Sequence, residues 1–292
     1  MNKNLLGIIG FIIYTLLSNS LCAASTAEHK TKAEVKKEKN YQSGEIYLPS
    51  AQQTEDIDKT LAKAKADNKL ALIVLGANWC HDSRSLATKL YLPEVKETID
   101  SNYELIFVDV GYLTKIKKVI TRFGMPVIYA TPTVLIIEPN SETLINRHNM
   151  HLWRDADKVS ISDTHQYFAD IATNKQQLLA SLSGMKTSDI KTVDRERLES
   201  LNLSINQFEQ RQADRIYKAF TIIGPLIEEK KHGGKAENFL RHWKAVAALR
   251  YKITDDLAIF RQQAIEIASV SNSDKQELSF PEYPVFEWEL GK

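Results

Sequence analysis

The chain has few cysteines, no excess of charge and one long apolar run. Only Cys22 and Cys80 are cysteines among its 292 residues. The 38 basic and 37 acidic side chains nearly cancel, and this balance gives no reason to expect nucleic acid or a membrane surface as a partner. The sequence shows no glycine-rich phosphate loop, serine–histidine–aspartate arrangement or paired-carboxylate site, so no cofactor is expected.

The apolar run lies at the N-terminus and has the form of a secretory signal. Lys3 gives a basic start, Leu5 to Leu17 are mostly apolar, and residues 18–24 (SNSLCAA) end in small residues. The run is too short to span a bilayer, and a bulky Leu21 directly before Cys22 argues against a lipid anchor. We therefore expect residues 1–24 to be cleaved and the protein to be periplasmic or secreted, with no stable membrane span afterwards.

Cleavage would remove Cys22 and leave Cys80 as a single thiol in a compartment where disulfides form readily. No internal disulfide is then possible, so the fold must depend on its core alone. A lone thiol in such a compartment is either buried and inert or exposed for a purpose.

The remaining chain divides into three parts by composition. Residues 25–52 form a charged linker, in which EIYLP (45–49) is a candidate strand that docks on the following sheet. Residues 53–183 alternate between strand and helix patterns. Residues 184–292 are helical in period, with an extended tail and no family resemblance, and they are a possible site for a protein partner. We expect the last two parts to fold separately, and Gly224-Pro225 to kink or break the first long helix.

The alternating part has a definite order of elements. A helix (54–67) precedes a buried strand (69–77), a helix begins near Cys80, and a second buried strand follows (104–110). Gly124 closes the next helix, a hairpin spans 132–147, and a helix with a Ser/Asp cap begins at Ser162.

This order, with ANWCHDS (77–83) at a strand-to-helix turn and ATPTVLII (130–137) opening the hairpin, resembles the thioredoxin fold. The chain is also similar to uncharacterised bacterial thioredoxin-family proteins with an NWCHDSR turn. The resemblance covers residues 53–183 and implies an α/β domain with a central mixed sheet flanked by helices, followed by the all-α C-terminal region. It also implies that Cys80, after Trp79, is the nucleophile. The bond between Thr131 and Pro132 would be cis, and these two residues would contact an extended substrate segment.

Cys80 is expected in the first turn of its helix, where free N–H groups and the helix dipole stabilise a thiolate and lower its pKa. A protonated His81 would stabilise the thiolate further, whereas the negative charge of Asp82 would destabilise it. Ser83 can offer a hydroxyl to the sulfur but cannot form a disulfide. The alternative is that Cys80 is simply a small buried apolar residue.

Two departures from the thioredoxin pattern affect the same step. Ser83 replaces the resolving cysteine, and Val74 stands where thioredoxins usually bury a proton-transferring aspartate. Both losses impair release of a client from a mixed disulfide, and neither affects the first attack. The sequence therefore predicts a monothiol protein that acts in thiol–disulfide exchange. Such a protein would be a thiol–disulfide oxidoreductase or isomerase. Its partners would be protein clients with thiols or disulfides, or a small-molecule thiol. The alternative is a non-catalytic binding or scaffold protein of the cell envelope.

Other groupings point to no further chemistry. His148, His151 and His165 cluster in sequence, but their spacing matches no zinc pattern, and we expect no metal. Residues 230–252 are rich in basic side chains, which favours a solvated helix face over a binding patch.

Overall fold

The fold is known from a computed structural model that describes residues 45–147, 149–182, 193–269 and 276–290. The predicted signal, most of the charged linker and the predicted boundary near residues 184–188 lie outside these residues. Within them, none of the helices combines the length and apolar character that crossing a bilayer requires.

The centre of the protein is a four-stranded mixed sheet. Its strands are β1 (Leu70–Gly76), β2 (Tyr103–Asp109), β3 (Thr133–Glu138) and β4 (Thr143–Leu144). The sheet order is β2-β1-β3-β4, with β2 parallel to β1 and with β3 antiparallel to both β1 and β4. This arrangement and its flanking helices confirm the predicted thioredoxin-like fold.

The helices of the alternating part are short: one precedes β1, three lie between strands in sequence, and two follow β4. They are α1 (Gln53–Ala66), α2 (His81–Leu90), α3 (Pro93–Asn102), α4 (Lys117–Arg122), α5 (Ile161–Thr173) and α6 (Lys175–Leu182), and a 3₁₀ helix covers Met150–Asp155. The cap of α5 is Ser160, whose hydroxyl accepts the N–H of Asp163. The sequence predicted the cap near Ser162, which is two residues after its position in the structure.

The C-terminal region contains two long helices, α7 (Arg195–Lys231) and α8 (Phe239–Ser269), and a 3₁₀ helix at Glu287–Leu290. Pro225 lies inside α7, which continues through it, so the helix does not break there, and a kink at this point stays a prediction. Gly224 lets α7 approach the loop after β2, because a Cβ there would lie 2.6 Å from the carbonyl oxygen of Tyr112. Residues 276–286, before this 3₁₀ helix, form neither helix nor strand.

The two regions share one core. Alternate β1 residues face opposite sides of the sheet: Leu72 and Val74 pack under α2, α3 and α5, whereas Ile73 and Leu75 face the long helices. On the face of the sheet towards the long helices, residues of both regions form one buried apolar cluster. It includes Ile57, Leu61, Val108, Ile116, Phe123, Tyr129, Ile205, Phe208, Ile216, Phe220, Ile223 and Ile253. The helical pair thus covers a face of the sheet, and this opposes the expectation that the regions fold separately.

A buried carboxylate strengthens the same junction. Glu209 of α7 is 2% exposed. It accepts hydrogen bonds from the hydroxyl of Tyr129 at 2.9 Å, from Arg147 at 3.0 Å and from Arg261 at 3.3 Å. Tyr129 and Arg147 belong to the thioredoxin-like part and Arg261 to α8, so the network connects three parts of the molecule.

Candidate functional site

Cys80 lies where the sequence predicts it, between β1 and α2. It is the N-cap residue of α2, with φ −91° and ψ 123°. Its thiol donates a hydrogen bond to the carbonyl oxygen of Thr131, with 3.0 Å between Sγ and the oxygen. The bond between Thr131 and Pro132 is cis, as predicted. Two motifs that lie far apart in sequence therefore meet at one sulfur.

The accessibility and acidity of Cys80 differ from the expectation. Only 8% of the residue is exposed, and burial raises the pKa of the thiol above its ordinary value, although hydrogen bonds from Ser83 oppose the shift. The negative charge of Asp82 raises this pKa further. The predicted lowering of the pKa is wrong because desolvation of the thiolate outweighs the contribution of the helix N-terminus.

Ser83 lies beside the sulfur and is completely buried. Its backbone and side chain both favour the thiolate, yet Oγ has no hydrogen-bond partner of ordinary geometry within the described part of the chain. Its carbonyl oxygen accepts the hydroxyl of Tyr47 at 3.0 Å. A position this close to Sγ is the one that a second cysteine would occupy in a Cys-x-x-Cys turn.

Asn78 attaches the N-terminal segment to the turn. Its Oδ1 accepts the backbone N–H groups of Ile46 and Tyr47, each at 3.1 Å, and its Nδ2 donates to the carbonyl of Tyr47 at 2.9 Å. The segment 45–49 is not a strand, so that prediction is wrong. A side chain replaces the sheet ladder as its hydrogen-bonding partner. The buried Tyr47 ring then closes one side of the thiol's surroundings.

His81 faces carboxylates. Its Nε2 lies 3.1 Å from Asp82 Oδ2 and 3.6 Å from Asp157 Oδ2, and Asp82 Oδ1 accepts the N–H of Asp157 at 3.0 Å. These three side chains offer metal-ligand atoms within 4.8 Å of one another, but they already pair among themselves. Burial raises the pKa of Asp82.

The histidines considered for a metal from the sequence do not join this group. His148 and the side chain of His151 lie outside the described residues. His165 lies on α5 and is not among the three clustered side chains.

Trp79 connects the turn to α8. Its indole N–H donates to the carbonyl of Gly111 at 2.8 Å. Its ring meets that of Trp243 edge to face, with 6.0 Å between centroids, and the guanidinium of Arg250 lies 5.4 Å from the Trp243 ring. The helical region therefore packs against the turn that carries the thiol.

Sequence reasoning missed Tyr47, Asn78 and Arg250 as neighbours of the site. Asn78 lies within the quoted motif, and its polar character could have indicated it. Arg250 is far from Cys80 along the chain, and no local pattern marks it. Val74 is fully buried on β1, so an apolar side chain occupies the position where thioredoxins usually carry the aspartate.

Comparison with known proteins adds little to this geometry. No protein-family model and no curated protein matches the chain. A solved structure with partial similarity is the crystal structure of a disulphide isomerase from Xylella fastidiosa Temecula1. It is 26% identical, the match covers 43% of this chain and 95% of that one, and the TM-score is 0.40. A TM-score this low transfers no function, so the chemistry of the site rests on its own residues.

Proposed function

We propose that this chain is a monothiol protein of thiol–disulfide exchange that acts through Cys80. The Cys80 thiolate attacks one sulfur of a client disulfide, forms a new S–S bond with it, and releases the other client sulfur as a thiolate. No electrons are gained or lost overall in this step. A second thiolate, from the client or from a small-molecule thiol, then attacks the mixed disulfide and releases Cys80.

The observation that carries the proposal is the position of the Cys80 sulfur. It lies at the N-terminal end of α2, 3.0 Å from the Thr131 carbonyl oxygen, and Ser83 beside it cannot form a disulfide. Attack by the thiol needs no second cysteine, whereas intramolecular release does. External release, and therefore isomerisation or assisted reduction, fits these residues better than net oxidation.

The resting protein holds the thiol protonated and covered. A client must therefore replace the hydrogen bond between the thiol and Thr131 before Cys80 reacts. We infer that an extended client segment contacts Thr131 and Pro132, and that the Ser83 hydroxyl then supports the thiolate. We also infer that residues 1–24 direct export, because an oxidising compartment supplies disulfide clients.

The test compares three proteins that begin at residue 25: the wild type, Cys80→Ser and Ser83→Cys. They are incubated with a disulfide-containing protein and separated on non-reducing gels. The wild type should accumulate a mixed disulfide, and Cys80→Ser should form none. Ser83→Cys should release clients, because a neighbouring thiolate attacks at a high effective concentration. If the wild type and Cys80→Ser gave the same gel pattern, the proposal would be refuted.

A second candidate is a binding protein in which Cys80 does no chemistry. The burial of Cys80 and its raised pKa favour this candidate, since most buried cysteines behave as small apolar residues. It predicts that Cys80→Ser keeps the cellular phenotype of the wild type. Loss of that phenotype in a variant that is folded and exported would support exchange chemistry.

A further inference from the structure

A small cavity lies between the thioredoxin-like part and the helical pair, beside the buried carboxylate of Glu209. Its lining comes from the loop before β3, from the segment after β4, and from α7 and α8. Its volume, measured as the space open to the centres of water molecules, is about 40 Å³, enough for about three waters or one small ligand. Arg147 and Arg261 belong to its lining, and their side chains are 24% and 21% exposed. Solvent therefore reaches the cavity at these arginines.

The lining of this cavity carries an excess of positive charge. Among the described residues that line it, Arg147 and Arg261 are cations and Glu209 is the anion that pairs with both. Arg147 also donates to the carbonyl of Gly124. Arg261 donates only from Nη2 to Glu209, at 3.3 Å, within the described part of the chain, so its remaining N–H groups have no acceptor there. A partly buried cation with unused donors favours an anion as its partner.

The chemistry of the lining narrows the class of anion. The planar fork of a guanidinium matches the two oxygens of a carboxylate. Met125, Met150 and Leu257 add apolar surface to the lining, which suits a short aliphatic tail. The negative charge of Glu209 disfavours a dianion, because repulsion grows with the charge of the ligand. The small volume excludes a large ligand.

We propose that this cavity binds a small monocarboxylate, of the size of acetate or propionate, through the unused N–H groups of Arg261. The carboxylate lies against the guanidinium, and the aliphatic tail packs among the apolar side chains. Residues of both regions contact the ligand, so binding requires the helical pair in its place on the sheet. The described lining does not include Cys80, Ser83 or Thr131. The proposal is therefore independent of the thiol chemistry.

The test is a calorimetric titration with sodium propionate, in which sodium chloride keeps the ionic strength constant. It compares the wild type with Arg261→Met and Arg241→Met. Arg241 is an exposed arginine of the same helix and controls for the loss of one charge. We expect Arg261→Met to weaken propionate binding at least about tenfold, because it removes charge-assisted hydrogen bonds. Arg241→Met should bind as the wild type does.

Two further variants separate the space in the cavity from its charge. Ala258 lines the cavity but is an exposed residue of α8, so Ala258→Leu fills the cavity, keeps every charge and leaves the core unchanged. It should abolish binding. Ala248→Leu changes an exposed alanine of the same helix outside the described lining and should have no effect. Glu209→Gln should strengthen binding several-fold, because it removes a negative charge that repels the ligand.

The outcomes that would overturn the proposal are distinct. One is propionate binding to the wild type that is no stronger than chloride binding. Another is equal affinity in the wild type and in Ala258→Leu or folded Arg261→Met, since the carboxylate would then bind elsewhere. Weaker binding by folded Glu209→Gln would overturn it as well. If Arg261→Met did not fold, Ala258→Leu would decide, because it keeps Arg261.

Discussion

Replacing Glu209 by glutamine should test how firmly the helical pair is attached to the sheet. The carboxylate is 2% exposed and accepts hydrogen bonds from Tyr129, Arg147 and Arg261. Glutamine keeps the shape and an acceptor for the tyrosine hydroxyl. It removes the negative charge that compensates two arginines.

The size of the effect follows from the burial of the two arginines. Breaking a buried ion pair by removing one partner costs about 3–5 kcal/mol. The side chains of Arg147 and Arg261 are 24% and 21% exposed, so water compensates part of their charge. We therefore expect Glu209→Gln to lower the free energy of unfolding by about 2–3 kcal/mol, at or just below the lower end of that range.

The assay is urea unfolding of the chain from residue 25, with Glu142→Gln as the matched control. Glu142 also pairs with an arginine, Arg122, but its side chain is 41% exposed, and loss of such a surface pair costs less than about 1 kcal/mol. The slope of the transition should not change between variants. Equal losses in the two variants would refute the view that this network fastens α7 and α8 to the sheet.

Three further predictions test the packing and the thiol. Gly224→Ala should destabilise the protein by about 1–3 kcal/mol in urea, because the new Cβ would lie 2.6 Å from the Tyr112 carbonyl oxygen; an unchanged midpoint would contradict the close approach. Because the folded protein raises the pKa of Cys80 above its ordinary value, the unfolded chain loses this proton first as the pH rises. The free energy of unfolding should therefore fall above about pH 9 more in the wild type than in Cys80→Ala, and parallel curves would contradict this. The fragment 45–185 should bind an apolar dye and aggregate, because it exposes the face that α7 and α8 cover; cooperative unfolding at the full-chain midpoint would instead support separate folding.

Local patterns were sufficient to predict the sheet and the position of the thiol. The apolar runs of β1 and β2 indicate strands, and the turn after β1 places Cys80 at a helix start. β1 is buried along its whole length, as predicted, but β2 lies at the edge of the sheet and is mostly half-buried, so its predicted full burial is wrong. Thr131-Pro132 opens β3, the neighbour of β1, so the sheet order brings it to the same end. Each of these inferences depends on residues close together in sequence or on strand order.

The burial of the Cys80 thiol and its raised pKa could not be predicted in the same way. The surroundings of the turn include Tyr47 and, through Trp79, the α8 residues Trp243 and Arg250, which local patterns do not connect to the turn. The segment 45–49 is a candidate strand in the sequence, but Asn78 takes its hydrogen bonds. Pro225 does not break α7 because packing along its length holds the helix, whereas propensity alone predicted a kink or a break.

The most direct test of the account is the mass of the Cys80-containing peptide after reaction with a disulfide. The chain from residue 25 is incubated with an excess of a disulfide-bonded peptide at mildly alkaline pH, quenched with acid and digested without reductant. We predict that the peptide with Cys80 gains the mass of one client half through a bond that reductant reverses. In Ser83→Cys, Cys80 should instead form an internal disulfide with the introduced cysteine. An unmodified Cys80 in the wild type, under conditions where a small thiol reacts fully, would contradict the account.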